Sequence, residues 1–211
     1  MLHYVFSLCG DGCLFTNLFR YLTFRTGGAI LTAMLISFLC GRRFIAWLKS
    51  KQGEGQPIRH DGPEGHLVTK KGTPTMGGGL MLISITIATL LWGDLKNAYV
   101  WIVLIVTLGF GCIGAYDDYL KLTKRSCDGL SGKKKLFFQG VMMIIATYCT
   151  VHQFEPHIAT QLTFPFMKEW MIDLGVFFYV WSFFVVVGAS NAVNLTDGLD
   201  GLAIVPVMIT A

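Results

Sequence analysis

Charged residues are scarce in this sequence of 211 residues. Asp, Glu, Lys and Arg together make up 14% of the chain, and hydrophobic residues make up 53%. A soluble domain usually carries about 25% charged residues. A soluble helical core would also need amphipathic partner helices, and the sequence contains none. The shortage of charge therefore argues against a water-soluble fold.

Several other signals are missing. The six cysteines follow no zinc or redox spacing, although Cys9 and Cys13 would lie on the oxidising side and could pair. The first 20 residues lack the basic segment of a signal peptide. No basic stripe is interleaved with aromatic residues, which argues against nucleic acid as a partner.

Apolar residues fall instead into five blocks of about the length that a transmembrane helix needs, and a sixth that is cut off. They predict an all-α integral membrane protein with five complete transmembrane helices and a truncated sixth, which is still apolar at Ala211. We expect one polytopic membrane domain over 1–211, incomplete at its C-terminus. The blocks lie near 24–47, 76–92, 98–116, 136–152, 172–189 and 199–211.

Lys and Arg are distributed unevenly among the loops. Segments 42–75 and 117–135 contain seven and six of them, whereas the alternate loops contain one each, Lys96 and Lys168. Basic loops remain in the cytoplasm. We therefore expect the N-terminus outside, and both basic loops and the stretch 191–198 inside.

The first basic loop ends KKGTPTMGGG, residues 70–79. Its glycines would allow close approach of a ligand or of a neighbouring helix, and Lys70 and Lys71 could meet a phosphate. A plain helix start with cytoplasmic lysines explains the stretch equally well. The lysines 133–135 of the second loop could similarly bind lipid headgroups or a polyphosphate.

Asp117 and Asp118 are adjacent at the end of the third block. Ionisable residues at the membrane edge usually mark function. On a helix the two side chains point roughly 100° apart, so they can do different jobs. Two solvated carboxylates at a helix C-terminus are a poor alternative because the helix dipole disfavours anions there. Such a pair suits Mg²⁺.

Residues 109–114, GFGCIG, formally match the GxGxxG pattern of dinucleotide-binding folds. That pattern has meaning only after a strand in a βαβ unit. Here it lies inside an apolar helix, so we interpret its glycines as small residues for close helix packing.

Residues 191–203 read NAVNLTDGLDGLA. Asn191, Asn194, Asp197 and Asp200 are three residues apart, which places them on one face of a helix or helical turn. Thr196 and Asp197 could instead cap the next helix, but capping leaves both asparagines unexplained. Together with the Asp pair and the lysines, this face suggests a site for a nucleotide diphosphate and a metal.

Three motifs, TPTMGG, the DD at 117–118 and NAVNLTDGLDGLA, together resemble the bacterial phospho-N-acetylmuramoyl-pentapeptide transferases. These belong to the polyprenyl-phosphate N-acetylhexosamine-1-phosphate transferase superfamily. The resemblance runs from about residue 20 to the end. It implies a ten-helix fold in the bacterial inner membrane with a cytoplasmic active site. It also implies Mg²⁺-dependent transfer of phospho-MurNAc-pentapeptide from UDP-MurNAc-pentapeptide to undecaprenyl phosphate, giving lipid I and UMP. The resemblance further suggests a homodimer.

The resemblance also assigns roles to residues. It implies that Asp117 deprotonates the lipid phosphate and that Asp118 is its partner, and a covalent aspartyl route has been considered for the pair. Asp197 is implied as a metal ligand. Substrate contacts are implied for six further residues: Lys70, Thr75, Lys133, Asn191, Asn194 and Asp200.

The family continues for several more helices, with a further catalytic aspartate and a histidine-rich motif. We therefore expect this chain to be truncated and inactive alone.

One alternative is a GlcNAc-1-phosphate transferase of the same superfamily. A prenyltransferase with aspartate-rich motifs fits the adjacent pair poorly. A non-enzymatic transporter or structural subunit would place charges in the middle of its helices, where this sequence has almost none.

Overall fold

A computed structural model describes residues 2, 18–53, 55, 72–125, 129–154, 158–164, 167–196 and 203–210. This part of the chain is mostly helical and contains one two-stranded sheet. It forms two compact units, residues 1–131 and residues 132–211.

The main helices described in the first unit are α1 (Leu22–Gln52), α2 (Gly78–Trp92) and α3 (Ala98–Lys124). Helix α1 packs against α2, and α2 packs against α3. The ends of these helices are defined by local chemistry. Helix α1 ends at Gly53, which has φ 61° and whose amide donates to Lys49 O. Helix α3 begins after Asn97, whose side chain accepts from Tyr99 N as an N-cap.

Small residues bring the three helices together. A methyl group added at Gly111 of α3 would overlap the side chain of Leu82 on α2. This contact supports the packing interpretation of GFGCIG at Gly111, whereas a methyl group at Gly114, the last glycine of the motif, would meet nothing within 4 Å. Between α1 and α2, Ser37 and Ser84 lie 3.2 Å apart as hydrogen-bonded hydroxyls, and Ser84 is 1% exposed. The polar groups inside this apolar pair thus satisfy one another.

The second unit contains α4 (Gly132–Val151), β1 (Gln161–Phe164), β2 (Met167–Asp173), α5 (Phe177–Thr196) and α6 (Ile204–Thr210). Helix α4 packs against α5. The strands pair antiparallel, with Gln161 opposite Asp173 and an irregularity after Thr163.

At the end of the hairpin away from its turn, Asp173 accepts hydrogen bonds from Thr160 Oγ1 at 2.6 Å and from Gly175 N at 3.0 Å. The Thr160 hydroxyl, and after it the Gly175 amide, lower the pKa of Asp173 from its ordinary 3.8.

The helices follow the apolar blocks, but their bounds differ from the predicted ones, as α3 and α5 illustrate. Helix α3 continues eight residues past the predicted end at 116, and α5 begins at Phe177 because residues 172 and 173 belong to β2. The hairpin itself departs from the predicted all-α class. In the described residues, three helices are long and apolar enough to cross a membrane, α1, α3 and α5, so the count of five complete spans stays a prediction. Helix α2 is apolar but shorter, with 15 residues.

Candidate active site

The carboxylate pair lies on α3, about two turns before its end at Lys124. The predicted block ended at residue 116, which would have placed the pair in the last turn, where the helix dipole disfavours anions. Since the helix continues, the pair is flanked instead by a further turn that contains Lys121. Lys121 is four residues from Asp117 and three from Asp118, which is the spacing of side chains that meet on a helix surface.

Asp117 is held from two sides. Its Oδ2 lies 2.7 Å from Lys121 Nζ, and its Oδ1 accepts a hydrogen bond of 2.6 Å from the backbone amide of Leu130. The chain passes so close at Gly129 that a methyl group there would overlap the Asp117 carboxylate. A larger residue at 129 would therefore have to displace this carboxylate, and the Leu130 amide fixes its direction.

Asp118 has different partners. Its Oδ2 accepts a hydrogen bond of 2.8 Å from Thr75 Oγ1, while its Oδ1 lies 3.4 Å from Lys121 Nζ. The side chain of Asp118 is 27% exposed, compared with 15% for Asp117. Adjacent carboxylates therefore have unlike surroundings: Asp117 is tightly ion-paired, whereas Asp118 is more accessible and bonded to a neutral hydroxyl.

Thr75 reaches Asp118 from the loop that precedes α2. The side chain of Gln52, the last residue of α1, contacts the Thr75 backbone through both of its polar atoms. The next residue, Met76, has φ 67°, a left-handed conformation that non-glycine residues seldom adopt. We call this cluster of Gln52, Thr75, Asp117, Asp118 and Lys121 the carboxylate end of the first unit.

The carboxylate end supplies some, but not all, of the ligands that Mg²⁺ needs. Protein sites for Mg²⁺ commonly supply one or two carboxylates and leave the other positions to water and substrate phosphates. Asp117 and Asp118 meet that requirement. Within the described ranges, no group of three or more His, Cys, Asp or Glu side chains comes together as a metal site. Lys121 supplies a third charge, of opposite sign, between the two carboxylates.

Three of the predicted site residues, Lys70, Asp197 and Asp200, lie outside the described residues. Lys133 is exposed in the first turn of α4. Asn194 is exposed on α5. Of the nine predicted site residues, the structure brings Thr75, Asp117 and Asp118 into one cluster.

Asn191 points into the second unit. Its Nδ2 donates to Gln139 Oε1 on α4 and to Val187 O, both at 2.8 Å. Gln139 is 3% exposed, so this bond satisfies a polar group between two apolar helices. The contact gives Asn191 a role in joining α4 to α5, and its predicted role in substrate binding stays a prediction.

Three residues that touch the predicted site residues were not predicted themselves: Lys121, Gln52 and Gly129. Lys121 had a local signal, its spacing of three and four from the pair. Gln52 and Gly129 had no such local signal. Gln52 contacts Thr75, which is 23 residues away in the sequence, and Gly129 lies in a loop that approaches Asp117 on a helix.

Two comparisons bear on the identity of the chain. Residues 100–211 match the family described as glycosyl transferase family 4. The whole chain is similar to a phospho-N-acetylmuramoyl-pentapeptide-transferase of Maricaulis maris (strain MCS10), with 54% identity over 216 residues. The match covers 100% of this chain and 59% of that relative.

Proposed function

The chain belongs to glycosyl transferase family 4, and from this premise we propose that it acts in lipid I synthesis. In that reaction phospho-MurNAc-pentapeptide is transferred from UDP-MurNAc-pentapeptide to undecaprenyl phosphate, with release of UMP. This is the first membrane step of peptidoglycan synthesis, on which cell shape and cell division depend. The name of the Maricaulis relative supports the proposal.

The observation that carries the proposal is the pair of carboxylates bridged by Lys121 and bonded to Thr75. Phosphoryl transfer requires mainly the positioning of reactants and the neutralisation of charge. A cluster of two anions, one cation and one fixed hydroxyl is suited to both. Its place at the end of apolar helices brings it close to where a lipid phosphate would lie.

In this reaction an oxygen of the lipid phosphate attacks the β-phosphorus of the UDP-linked donor. The bond from that phosphorus to the oxygen bridging to the α-phosphate breaks, and UMP leaves. We assign to Asp117 the removal of the proton from the attacking phosphate. Its carboxylate is aimed by Lys121 and by the Leu130 amide, which is the kind of fixed orientation that general-base catalysis needs.

Asp118 is the more accessible carboxylate, and Thr75 fixes its orientation. We propose that Asp118 would hold Mg²⁺ with the donor phosphates and that Asp197 is a further ligand of the ion. The ion would neutralise charge on the phosphates during transfer. Lys70 and Lys133 are proposed to add positive charge for the donor phosphates, and Asn191, Asn194 and Asp200 are proposed to contact the nucleotide.

The basic loops support a cytoplasmic position for the carboxylate end, which is where a UDP-linked donor is available. Membrane lipid would surround α1, α3 and α5, whose apolar side chains are largely exposed. A homodimer stays part of the proposal.

The test is an assay of product formation in membranes containing the chain completed with the part of the Maricaulis relative that it does not cover. We call this the completed chain. Undecaprenyl phosphate is supplied with either UDP-MurNAc-pentapeptide or UDP-GlcNAc, with and without EDTA. We expect UMP and a lipid-linked MurNAc product, identified by mass spectrometry, from the first donor only, and none with EDTA.

The matched control is the Asp117→Asn variant of the completed chain, which should fold but form product at least about 100-fold more slowly. Product from UDP-GlcNAc alone would favour the GlcNAc-1-phosphate transferase alternative. Absence of product from both donors, in a protein that is present and folded in the membrane, would contradict an enzymatic function and favour a transporter or structural subunit.

A further inference from the structure

Gln52 forms a two-sided contact with the backbone of Thr75. Gln52 Oε1 accepts from Thr75 N at 2.8 Å, and Gln52 Nε2 donates to Thr75 O at 3.0 Å. The amide orientation is fixed by chemistry, because a backbone N–H needs an acceptor and a carbonyl needs a donor. One side chain therefore satisfies both polar groups of Thr75, as a neighbouring strand would.

This contact fixes the residue that touches Asp118. The Thr75 hydroxyl donates to Asp118 Oδ2 at 2.8 Å, so the chain of contacts runs from Gln52 through Thr75 to the carboxylate. The loop has little other regular structure here: Gly72 and Met76 have positive φ, and α2 begins only at Gly78. Without Gln52, the position of the Thr75 hydroxyl would depend on a short irregular segment.

The pairing of α1 with α2 does not depend on Gln52. Within the helical body, Ser37 bonds to Ser84, and Trp92 Nε1 donates to Thr32 Oγ1 at 2.9 Å. Arg25 Nε donates to Trp92 O at 3.0 Å at the far end of the pair. Since these contacts already join the helices, the Gln52 contact has a narrower role, which is to place Thr75.

We propose that Gln52 is a positioning residue of the active site, which holds Thr75 so that its hydroxyl orients the Asp118 carboxylate. The proposal rests on the proposed function. Gln52 itself touches neither the carboxylates nor, in this proposal, the substrate. Its effect on transfer passes entirely through Thr75.

The test is a double-mutant cycle in the completed chain with Gln52→Met, Thr75→Val and both together. Methionine keeps the length of the side chain and removes both hydrogen bonds, and valine keeps the shape of threonine and removes the hydroxyl. Kinetics are measured with UDP-MurNAc-pentapeptide and undecaprenyl phosphate, and the thermal midpoint is measured in detergent. We expect Gln52→Met to lower kcat by about 10- to 100-fold and to leave KM for the nucleotide donor within about twofold.

The double variant distinguishes positioning from general structure. If Gln52 acts through the Thr75 hydroxyl, Gln52→Met costs nothing further once that hydroxyl is absent, and the double variant matches Thr75→Val. Gln153→Met, a change of an exposed glutamine just after α4, is the matched control and should leave kcat unchanged.

Three results would overturn the inference: unchanged kcat in Gln52→Met, losses that multiply in the double variant, or a fall in kcat that follows a fall in thermal midpoint. These results are separate from failure of the proposed function. That failure would appear as absence of product from the unsubstituted completed chain, whereas the inference is judged by variants of an active protein.

Discussion

The first unit has two ends at which side-chain hydrogen bonds join distant residues, but the two ends differ in chemistry. One is the carboxylate end. At the other, which we call the aromatic end, Arg25 donates to the last carbonyl of α2, and the Trp92 ring packs against Phe19 and over Gly28. Both ends connect residues far apart in sequence. A tertiary hydrogen bond alone therefore does not mark a functional site.

The difference between the ends lies in how charge is used. At the aromatic end, the Arg25 cation donates to one helix carbonyl group, that of Trp92, and aromatic rings pack beside it, as is usual where a helix pair meets the membrane interface. At the carboxylate end, two anions are held side by side, which is unfavourable unless other groups compensate. Lys121, Thr75 and the Leu130 amide provide that compensation. Two adjacent carboxylates that are kept despite their mutual repulsion indicate a functional role for this end.

The largest effect is expected from removing either charge at the carboxylate end. Asp117→Asn and Asp118→Asn keep the side-chain size but remove the anion, so each should lower kcat by about 10²- to 10⁴-fold. The thermal midpoint should stay within about 2 °C, because Asn still accepts from Leu130 N or from Thr75. Activity within tenfold of the unsubstituted completed chain for both variants would contradict the assignment.

A smaller effect is expected from Gly129→Ala. The added methyl group overlaps the Asp117 carboxylate and must displace it or the loop. We expect kcat to fall by about 10- to 100-fold. Steady-state kinetics of the completed chain measure this loss, and unchanged kcat would mean that the direction of Asp117 does not matter for transfer.

The same substitution at the aromatic end should act on stability instead. In Gly28→Ala the new Cβ lies 2.5 Å from the Trp92 ring, which must shift. Overpacking of this kind costs about 1–3 kcal/mol, so the thermal midpoint should fall. At a temperature where the variant is folded, kcat should stay within about twofold. A loss of kcat as large as that of Gly129→Ala would erase the distinction between the two ends.

The smallest effect is expected at Gly114, which lies in the middle of α3. A methyl group there meets nothing within 4 Å. Because alanine is favoured over glycine in a helix by about 0.5–1 kcal/mol, Gly114→Ala should raise the thermal midpoint slightly and leave kcat unchanged. A lower midpoint or a loss of activity in this variant would mean that the effects at Gly28 and Gly129 do not depend on local space.

Much of the helical structure could be predicted from the sequence, because apolar blocks are a strong signal. The boundaries could not. Helix α3 passes beyond its apolar block because Asp117, Asp118 and Lys121 form ion pairs along its surface. The strand β2 was missed because its apolar residues merge with those of the following helix. Gly175, with φ 47°, separates the two, and its position before Phe177 was the available signal.

The candidate site was predictable where its chemistry is local. The adjacent carboxylates are visible in the sequence, and the resemblance of TPTMGG pointed to Thr75. The contacts that orient them are not visible, since Gln52 meets Thr75 across 23 positions and Asn191 meets Gln139 across 52. No periodicity connects such pairs, and only the packing of helices brings them together.

The most direct measurement is Mg²⁺-dependent exchange of labelled UMP into UDP-MurNAc-pentapeptide, with undecaprenyl phosphate present. It compares the completed chain with its Asp118→Asn and Gly28→Ala variants in the same membranes. We expect exchange in the unsubstituted protein and in Gly28→Ala, exchange at least about 100-fold slower in Asp118→Asn, and none without Mg²⁺. Exchange in Asp118→Asn within about tenfold of the unsubstituted protein, or an equal loss in Gly28→Ala, would contradict transfer at the carboxylate end.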